Sequence, residues 1–151
     1  MYDKQAAAQL TQQFWTVFGQ YMAPILSAEG EKINWINYKT GEKHIRFTMQ
    51  FFSGAAMIAL EIAQPEIVLQ QQQFEQPARF KNQFEQIAGN KWIWEKSICN
   101  EQQKIISQIK STLPDINLFD KEDWPKIISF FKPRLIALDE FWSNYKFVLQ
   151  H

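Results

Sequence analysis

Five side chains within residues 33–47 could bind a nucleic acid or a nucleotide. The stretch reads INWINYKTGEKHIRF, and its aromatic and basic candidates are Trp35, Tyr38, Lys39, Lys43 and Arg46. Aromatic rings stack on unpaired bases, and lysine and arginine side chains bind phosphate groups. The stretch therefore predicts a candidate binding surface beside the first strand of a sheet.

A structural interpretation of the same stretch competes with ligand binding. Trp35 and Tyr38 would be core residues, and residues 39–43 would form a solvated hairpin loop in which Gly41 adopts a positive φ. This interpretation is preferred because tryptophan is more often buried than held exposed for a base. A formal net charge of zero also gives the whole molecule no general attraction for a polyanion.

Residues for metal or covalent chemistry are scarce in this chain. It has one cysteine and two histidines, whereas a zinc site needs three or four converging ligands. Cys99 follows an apolar strand pattern, so we expect a small core residue rather than a nucleophile paired with His44. We therefore predict no catalytic residue, no cofactor and no metal. An enzyme is the least favoured class and would need a pocket lined by Trp92, Trp94 and Asp139.

The composition predicts a single domain, residues 1–151. The chain is 46% hydrophobic and 15% aromatic, and a chain of this length buries a sizeable core without disulfides or metal. Its 13 Phe and 6 Trp residues must fill the interior or cover an interface. A homodimer formed through surplus aromatic residues or through the C-terminal helix is therefore a further possibility.

Three features predict a soluble, cytoplasmic protein that does not enter a membrane. A single cysteine cannot form an internal disulfide, and the N-terminus MYDKQAAAQL lacks the basic and apolar pattern of a signal peptide. The longest uncharged, apolar-rich run, residues 47–60, is shorter than the roughly 20 residues that a membrane helix needs.

The first half of the chain predicts a helix followed by a hairpin. Apolar residues recur every three or four positions in the first segment, which is helical spacing. The predicted buried stripe of this helix is Ala7, Leu10, Phe14, Val17 and Tyr21. Residues 44–51 alternate between apolar and polar side chains, as a strand with one wet face does. Residues 55–63 follow as a second strand, with Ile58, Leu60 and Ile62 on its apolar face. Ser53 and Gly54 supply a tight turn between them.

The middle of the chain predicts a broken helix and a second hairpin. Helical spacing between residues 64 and 89 is interrupted at Pro77, and the glutamines at 70–73 are expected on a solvated helix face. A strand is expected at 91–99. Residues 104–113 could pair with it, although their spacing also suits a helix.

The clearest element is a long C-terminal helix. Apolar spacing runs from Trp124 to Leu149 and passes through Pro133 without a change of phase, so we expect one kinked helix. The full order is helix, hairpin, helix, hairpin and long helix. It predicts an α+β fold, an antiparallel sheet of two hairpins with helices packed on one face.

Four motifs in combination resemble a known family. They are QFW at 13–15, NWINYKTG at 34–41, WIWE at 92–95 and ALDEFW at 137–142. The combination resembles the bacterial domain of unknown function 4268 in its stand-alone form, over nearly the whole chain. Relatives can be fused to a nuclease-like domain, so the resemblance implies a link to nucleic-acid metabolism or defence. It implies an α+β fold and one domain, and it supplies no catalytic residues.

The sequence as a whole predicts an uncharacterised, non-catalytic binding or interaction module. One alternative is an accessory protein of nuclease or defence systems that binds single-stranded nucleic acid or a nucleotide. Another is a homodimeric structural protein.

Overall fold

A computed structural model describes residues 3–149 of the chain. This part contains four helices, four strands and a short 3-10 turn. In chain order these elements are α1 (Lys4–Met22), β1 (Ile45–Phe52), β2 (Ala55–Ile62), α2 (Ile67–Ala78), α3 (Lys81–Ala88), β3 (Ile93–Cys99), β4 (Ile105–Pro114), the turn Lys121–Asp123 and α4 (Trp124–Leu149). The predicted α+β order is confirmed.

The four strands form one antiparallel sheet in the order β1-β2-β4-β3. The two strands of each predicted hairpin pair with each other, β1 with β2 and β3 with β4. The two hairpins join through the pairing of β2 with β4. The segment that suited either a strand or a helix is strand β4, whose pairing with β2 places it at the centre of the sheet. Phe52 pairs with Ala55, so Ser53 and Gly54 form the predicted turn, with φ of +70° at Gly54.

The helices cover one face of the sheet, and the core lies between the two layers. Phe51 of β1 meets Phe14 of α1 with ring centroids 5.4 Å apart, and Trp94 of β3 meets Phe84 of α3 at 5.3 Å. The residues of β1 that face the helices are those predicted from the alternation, Ile45, Phe47, Met49 and Phe51. The opposite face of the sheet has no covering layer in the described chain.

The predicted buried stripe of α1 is right at Leu10, Phe14 and Val17, which lie in or against the core, and wrong at Tyr21. Tyr21 is 55% exposed, whereas Phe18 and Met22, which lie outside the predicted stripe, are buried together with Phe14. Residues four apart along a helix also share a face, so the sequence offered two overlapping stripes. The stripe with the larger rings is buried because Phe14 and Phe18 pack on Phe131 of α4.

Two helices contain prolines, with different outcomes. Pro77 lies in the last turn of α2, which ends at Ala78 before α3 begins at Lys81, so the predicted break is confirmed. By contrast, α4 continues through Pro133 as predicted, although a proline there supplies no backbone N–H. No helix in residues 3–149 carries an apolar stretch that would span a bilayer.

The predicted solvated face of the glutamine run 70–73 is wrong at Gln70, which is fully buried. Its amide nitrogen donates to the carbonyl oxygens of Gln64 and Ile105 at 2.9 and 2.8 Å. Its amide oxygen accepts from the hydroxyl of Ser107 at 2.8 Å. The side chain is buried because it satisfies backbone and hydroxyl groups where α2 meets β4, and these partners are distant in sequence.

Candidate functional site

The candidate stretch lies in an irregular segment between α1 and β1. Residues 23–44 contain turns but no helix or strand, so the predicted hairpin loop at 39–43 is wrong. Gly41 does adopt the expected positive φ, +85°. The path of the segment is set by α4, because Nε1 of Trp142 donates to the carbonyl oxygen of Thr40 at 2.9 Å.

Trp35 is a core residue within this segment. Its side chain is 3% exposed, and its Nε1 donates to the carbonyl oxygen of Ile25 at 2.9 Å. The hydrogen bond holds residues 25–35 in a closed loop, because it joins the two ends of that part of the segment. A base could not stack on this ring without opening the core.

Tyr38 and Asp139 connect the segment to α4. The Tyr38 ring stacks on Phe47 with centroids 4.4 Å apart, and its hydroxyl donates to Oδ1 of Asp139 at 2.5 Å. The other carboxylate oxygen of Asp139 accepts from the backbone N–H of Ala28 at 2.7 Å. Burial raises the pKa of Tyr38 well above its ordinary value, and the hydrogen bond and negative charge of Asp139 raise that pKa further.

A polar cleft of about 430 Å³ opens beside this pair, and we call it the Asp139 cleft. Its lining residues are Ser27, Glu29, Glu31, Ile33, Asn34, Asn37, Tyr38, Lys39, Thr40, Asp139, Trp142, Ser143 and Lys146. Lys146 pairs with Glu29 across the cleft. Asp139 is 2% exposed and both of its oxygens accept hydrogen bonds from the protein, so the carboxylate holds the fold together.

Trp92, Trp94 and Asp139, the residues on which an enzyme would depend, do not line the same cleft. Trp92 and Trp94 both pack on Phe84, with centroids 5.3 Å apart in each case. Asp139 lies in the Asp139 cleft, whose lining includes neither tryptophan. Asp139 therefore does not share this cleft with the two tryptophans.

A larger concave surface lies on the uncovered face of the sheet, and we call it the sheet groove. Its volume is about 960 Å³. It is lined by Lys43, His44, Arg46, Gln50, Phe52, Met57, Glu61, Ala63, Pro65, Ile67, Ile98, Cys99, Asn100, Glu101, Gln102, Lys104, Ile105, Ile106, Gln108 and Lys110. Because β1 and β4 run parallel to each other on either side of β2, the groove extends along the strands from Phe52 at one end to Lys43 and Lys104 at the other.

Apolar side chains form the floor of the sheet groove. Met57 and Ile106 project from the central strands and are buried, while Ile98 of β3 is half-buried. Phe52 lies at one end of the groove and is 37% exposed. The half-buried Gln50 adds an amide near this ring. The groove thus combines an apolar floor, one accessible aromatic ring and hydrogen-bonding groups.

Two of the cations in the sheet groove belong to ion pairs. Nε of Arg46 lies 3.0 Å from Oε1 of Glu61, and Nζ of Lys110 lies 3.2 Å from Oε1 of Glu95. The Arg46 side chain is 65% exposed, whereas that of Glu61 is 7% exposed. The contact uses only Nε, so the remaining guanidinium N–H groups of Arg46 form no hydrogen bond with another described residue.

Two further cations stand at the opposite end of the groove from Phe52. Lys43 and Lys104 are exposed, and neither forms an ion pair with another residue among 3–149. Four lysine or arginine side chains line the groove against two glutamates, Glu61 and Glu101. Glu95, which pairs with Lys110, adds a third carboxylate, so the groove has a local excess of one positive charge on a chain whose formal net charge is zero.

The five predicted site residues do not share one surface. Lys43 and Arg46 line the sheet groove, Tyr38 and Lys39 line the Asp139 cleft, and Trp35 is buried. Residues 33–47 contribute to both sides of the sheet. Ile45 and alternate residues after it face the helices, while Arg46 faces the open side. The aromatic half of this stretch therefore lies on the helical side and its basic end on the open side.

Sequence reasoning missed the part of the groove contributed by the second hairpin. Lys104 and Lys110 join Lys43 and Arg46 because β4, not β3, pairs with β2. The polar residues of β4 indicated that one face of this strand is solvated. The strand order that places that face beside β1 and β2 cannot be read from local sequence. Cys99, expected in the core, is exposed at the end of β3, so that expectation is wrong.

The fold and its surfaces define a small α+β domain with one helix-covered sheet face and one open, groove-forming face. A family model described as a domain of unknown function (DUF4268) matches residues 10–146. The chain belongs to this family, and the match covers nearly all of the described structure. Searches among curated proteins and among solved structures give no match. Among residues 3–149, no group of three His, Cys, Asp or Glu side chains converges to hold a metal ion.

Proposed function

We propose that this protein is a non-catalytic binding module of the bacterial cytoplasm and that it binds single-stranded nucleic acid in the sheet groove. The observation that carries the proposal is the open sheet face, where a local excess of positive charge surrounds an apolar floor. Phosphates bind to lysine and arginine side chains, while bases need an exposed ring or amide. The groove offers both kinds of group along the length of its strands.

The positions of individual side chains support this ligand class. Lys43 and Lys104 have no ion-pair partner among the described residues, so phosphate contact would displace no carboxylate. Arg46 keeps free N–H groups, and Phe52 gives one base a ring on which to stack. An exposed cysteine, Cys99, suits a reducing compartment such as the cytoplasm.

The test is fluorescence anisotropy with a fluorescein-labelled oligothymidylate of about 15 nucleotides. We expect binding at low ionic strength, with log K falling linearly against the logarithm of the salt concentration by about 0.7 for each phosphate contacted. Lys43→Ala and Lys104→Ala should each weaken binding and reduce that slope by about 0.7. Lys126→Ala is the matched control, because Lys126 is an exposed cation on α4, on the helical side of the molecule.

Three results would reject the proposal. One is the absence of salt-dependent binding, and another is an equal loss of binding for Lys126→Ala and the two groove variants. The third is displacement of the oligonucleotide by a polyglutamate peptide carrying the same number of charges, at the same concentration as unlabelled oligothymidylate. That outcome would indicate a site for any extended polyanion rather than one for nucleic acid.

A further inference from the structure

Strand β1 presents a regular edge that pairs with no further strand in the described residues. It pairs through all eight of its residues with β2 and with no other strand. Just before it, the carbonyl oxygen of His44 accepts from the N–H of Ala63 at 2.8 Å, which fixes the alternation of the ladder. The N–H and C=O groups of Phe47, Met49 and Phe51 therefore point away from β2. No hydrogen bond from another described residue reaches these outward groups.

The other edge of the sheet is protected in a way that β1 is not. In β3 the pairing register shifts between Glu95 and Ile98, and Ser97 has a φ of +56°. Its N–H donates to the side chain of Ser107 at 3.0 Å, and Lys96 pairs with Glu75 of α2. Bulges and lysines of this kind keep an edge from pairing with another chain. β1 has no bulge and no proline, and its one charge is engaged by Glu61.

We propose that a second copy of this chain pairs with the β1 edge, antiparallel and two-fold symmetric about Met49. In this register Met49 lies opposite Met49 of the second copy, and Phe47 lies opposite Phe51 of the second copy. Each chain contributes the outward N–H and C=O groups of three residues, and all of these groups become hydrogen-bonded. The two sheets join into one sheet of about eight strands with a continuous open face.

The side chains fit this register. On the open face, Arg46 lies opposite Phe52 of the second copy, and Thr48 lies opposite Gln50 of the second copy. Arg46 is the only charged residue of β1, so no like charges meet. The exposed Phe52 ring gains a cationic partner. Pairing ends at Ile45, because the outward carbonyl oxygen of that residue already accepts from Oγ1 of Thr40 at 2.6 Å.

A pair of variants with opposite charges at Phe52 tests the register by sedimentation equilibrium over micromolar protein concentrations. Phe52→Lys places a lysine opposite Arg46 at both symmetric positions, so we expect the dimer to dissociate about tenfold more readily. Phe52→Glu removes the same ring but places a carboxylate opposite Arg46, so the dimer should be at least as stable as that of the unmodified protein. The two variants differ in the sign of one exposed charge, so a difference between them reports the pairing rather than loss of the ring.

Hydrogen exchange of the unmodified protein provides a readout that does not depend on any variant folding. The amides of Phe47, Met49 and Phe51 should exchange more slowly as the protein concentration rises, while the amides of β3 should not change. A monomer at all concentrations overturns the proposal, as does an equal effect of the two Phe52 variants. These measurements use protein alone, so they are independent of whether the sheet groove binds nucleic acid.

Discussion

At the scale of single residues, the large aromatic side chains carry polar atoms that connect distant parts of the chain. Nε1 of Trp35 and of Trp142 each bind a backbone carbonyl oxygen of the segment before β1. The hydroxyl of Tyr38 likewise connects this segment to α4, because it donates a hydrogen bond to the carboxylate of Asp139. Because a buried donor needs a partner, these bonds fix where an otherwise irregular segment must lie.

The hydroxyl of Tyr38 should therefore matter for stability. Tyr38→Phe removes one donor from a carboxylate that is 2% exposed, and we expect the free energy of unfolding to fall by about 1–3 kcal/mol. The measurement is urea unfolding at neutral pH. Tyr21→Phe is the control, because Tyr21 is 55% exposed on α1 and should change the free energy by less than about 0.5 kcal/mol. Equal effects of the two variants would show that the Tyr38 contact contributes nothing specific.

The same contact sets a dependence on alkaline pH. The folded state raises the pKa of Tyr38, chiefly by burial, whereas a tyrosine in the unfolded chain titrates at about 10. The stabilisation is thus fully present below about pH 10, and it is lost as the pH rises toward the folded pKa, because the unfolded state releases its proton first. We expect unfolding free energies to decline less steeply above about pH 10 in Tyr38→Phe than in the unmodified protein.

Residue types alone could not distinguish the two uses of the candidate stretch. Trp35, Tyr38 and Arg46 have the chemistry of a nucleic-acid surface, and they also have the chemistry of a core with a solvated rim. The decision between them depends on Asp139 and Trp142, which lie about a hundred positions away in the chain. The sheet face on which the Arg46 side chain lies was predicted correctly, because strand alternation depends only on neighbouring residues.

At the scale of elements, contacts between helices and the sheet depend on a few buried polar groups. Gln70 links α2 to β4, and Ser107, which donates to it, also accepts from the N–H of Ser97 in the β3 irregularity. One glutamine therefore supports the position of a helix, the start of a central strand and the protected edge of the sheet.

Gln70→Leu tests this link. The substitution leaves the carbonyl oxygen of Ile105 without this donor and the hydroxyl of Ser107 without its acceptor, so we expect a loss of about 1–3 kcal/mol in the free energy of unfolding. Gln72→Leu makes the same change at an exposed position of the same helix and should have an effect below about 0.5 kcal/mol. Denaturant unfolding compares the two. If Gln70→Leu matches its control, the network does not hold α2 on the sheet.

The elements that could be predicted are those whose signal is local. Period-two alternation placed β1 and β2, and helical spacing carried α4 through Pro133. The α1 prediction was wrong at Tyr21 and missed Phe18, because the choice between these two positions is made by Phe131 of α4. The burial of Gln70 was missed for the same reason, since its partners belong to other elements.

At the scale of the whole molecule, one hydrophobic core, rich in aromatic rings, joins the helices to the sheet. Phe131 of α4 is fully buried and contacts rings of α1 and β1, while Phe141 of the same helix contacts Phe84 of α3. Placing every helix on one face leaves the other face open, and this asymmetry lets a neutral chain carry a locally positive groove. A core shared in this way gives no element an independent interior.

The continuous core predicts that the chain unfolds as one cooperative unit. The six tryptophans lie in α1, in β3, in α4 and in the segments between elements, so tryptophan fluorescence and far-UV circular dichroism sample different parts of the fold. We expect their urea transitions to coincide. Phe131→Leu removes a ring that packs against α1 and β1. We expect it to lower the free energy of unfolding by about 1–2 kcal/mol and to shift both urea midpoints together. Transitions that separate, or a variant that shifts only one of them, would divide the chain into two units and contradict a single domain.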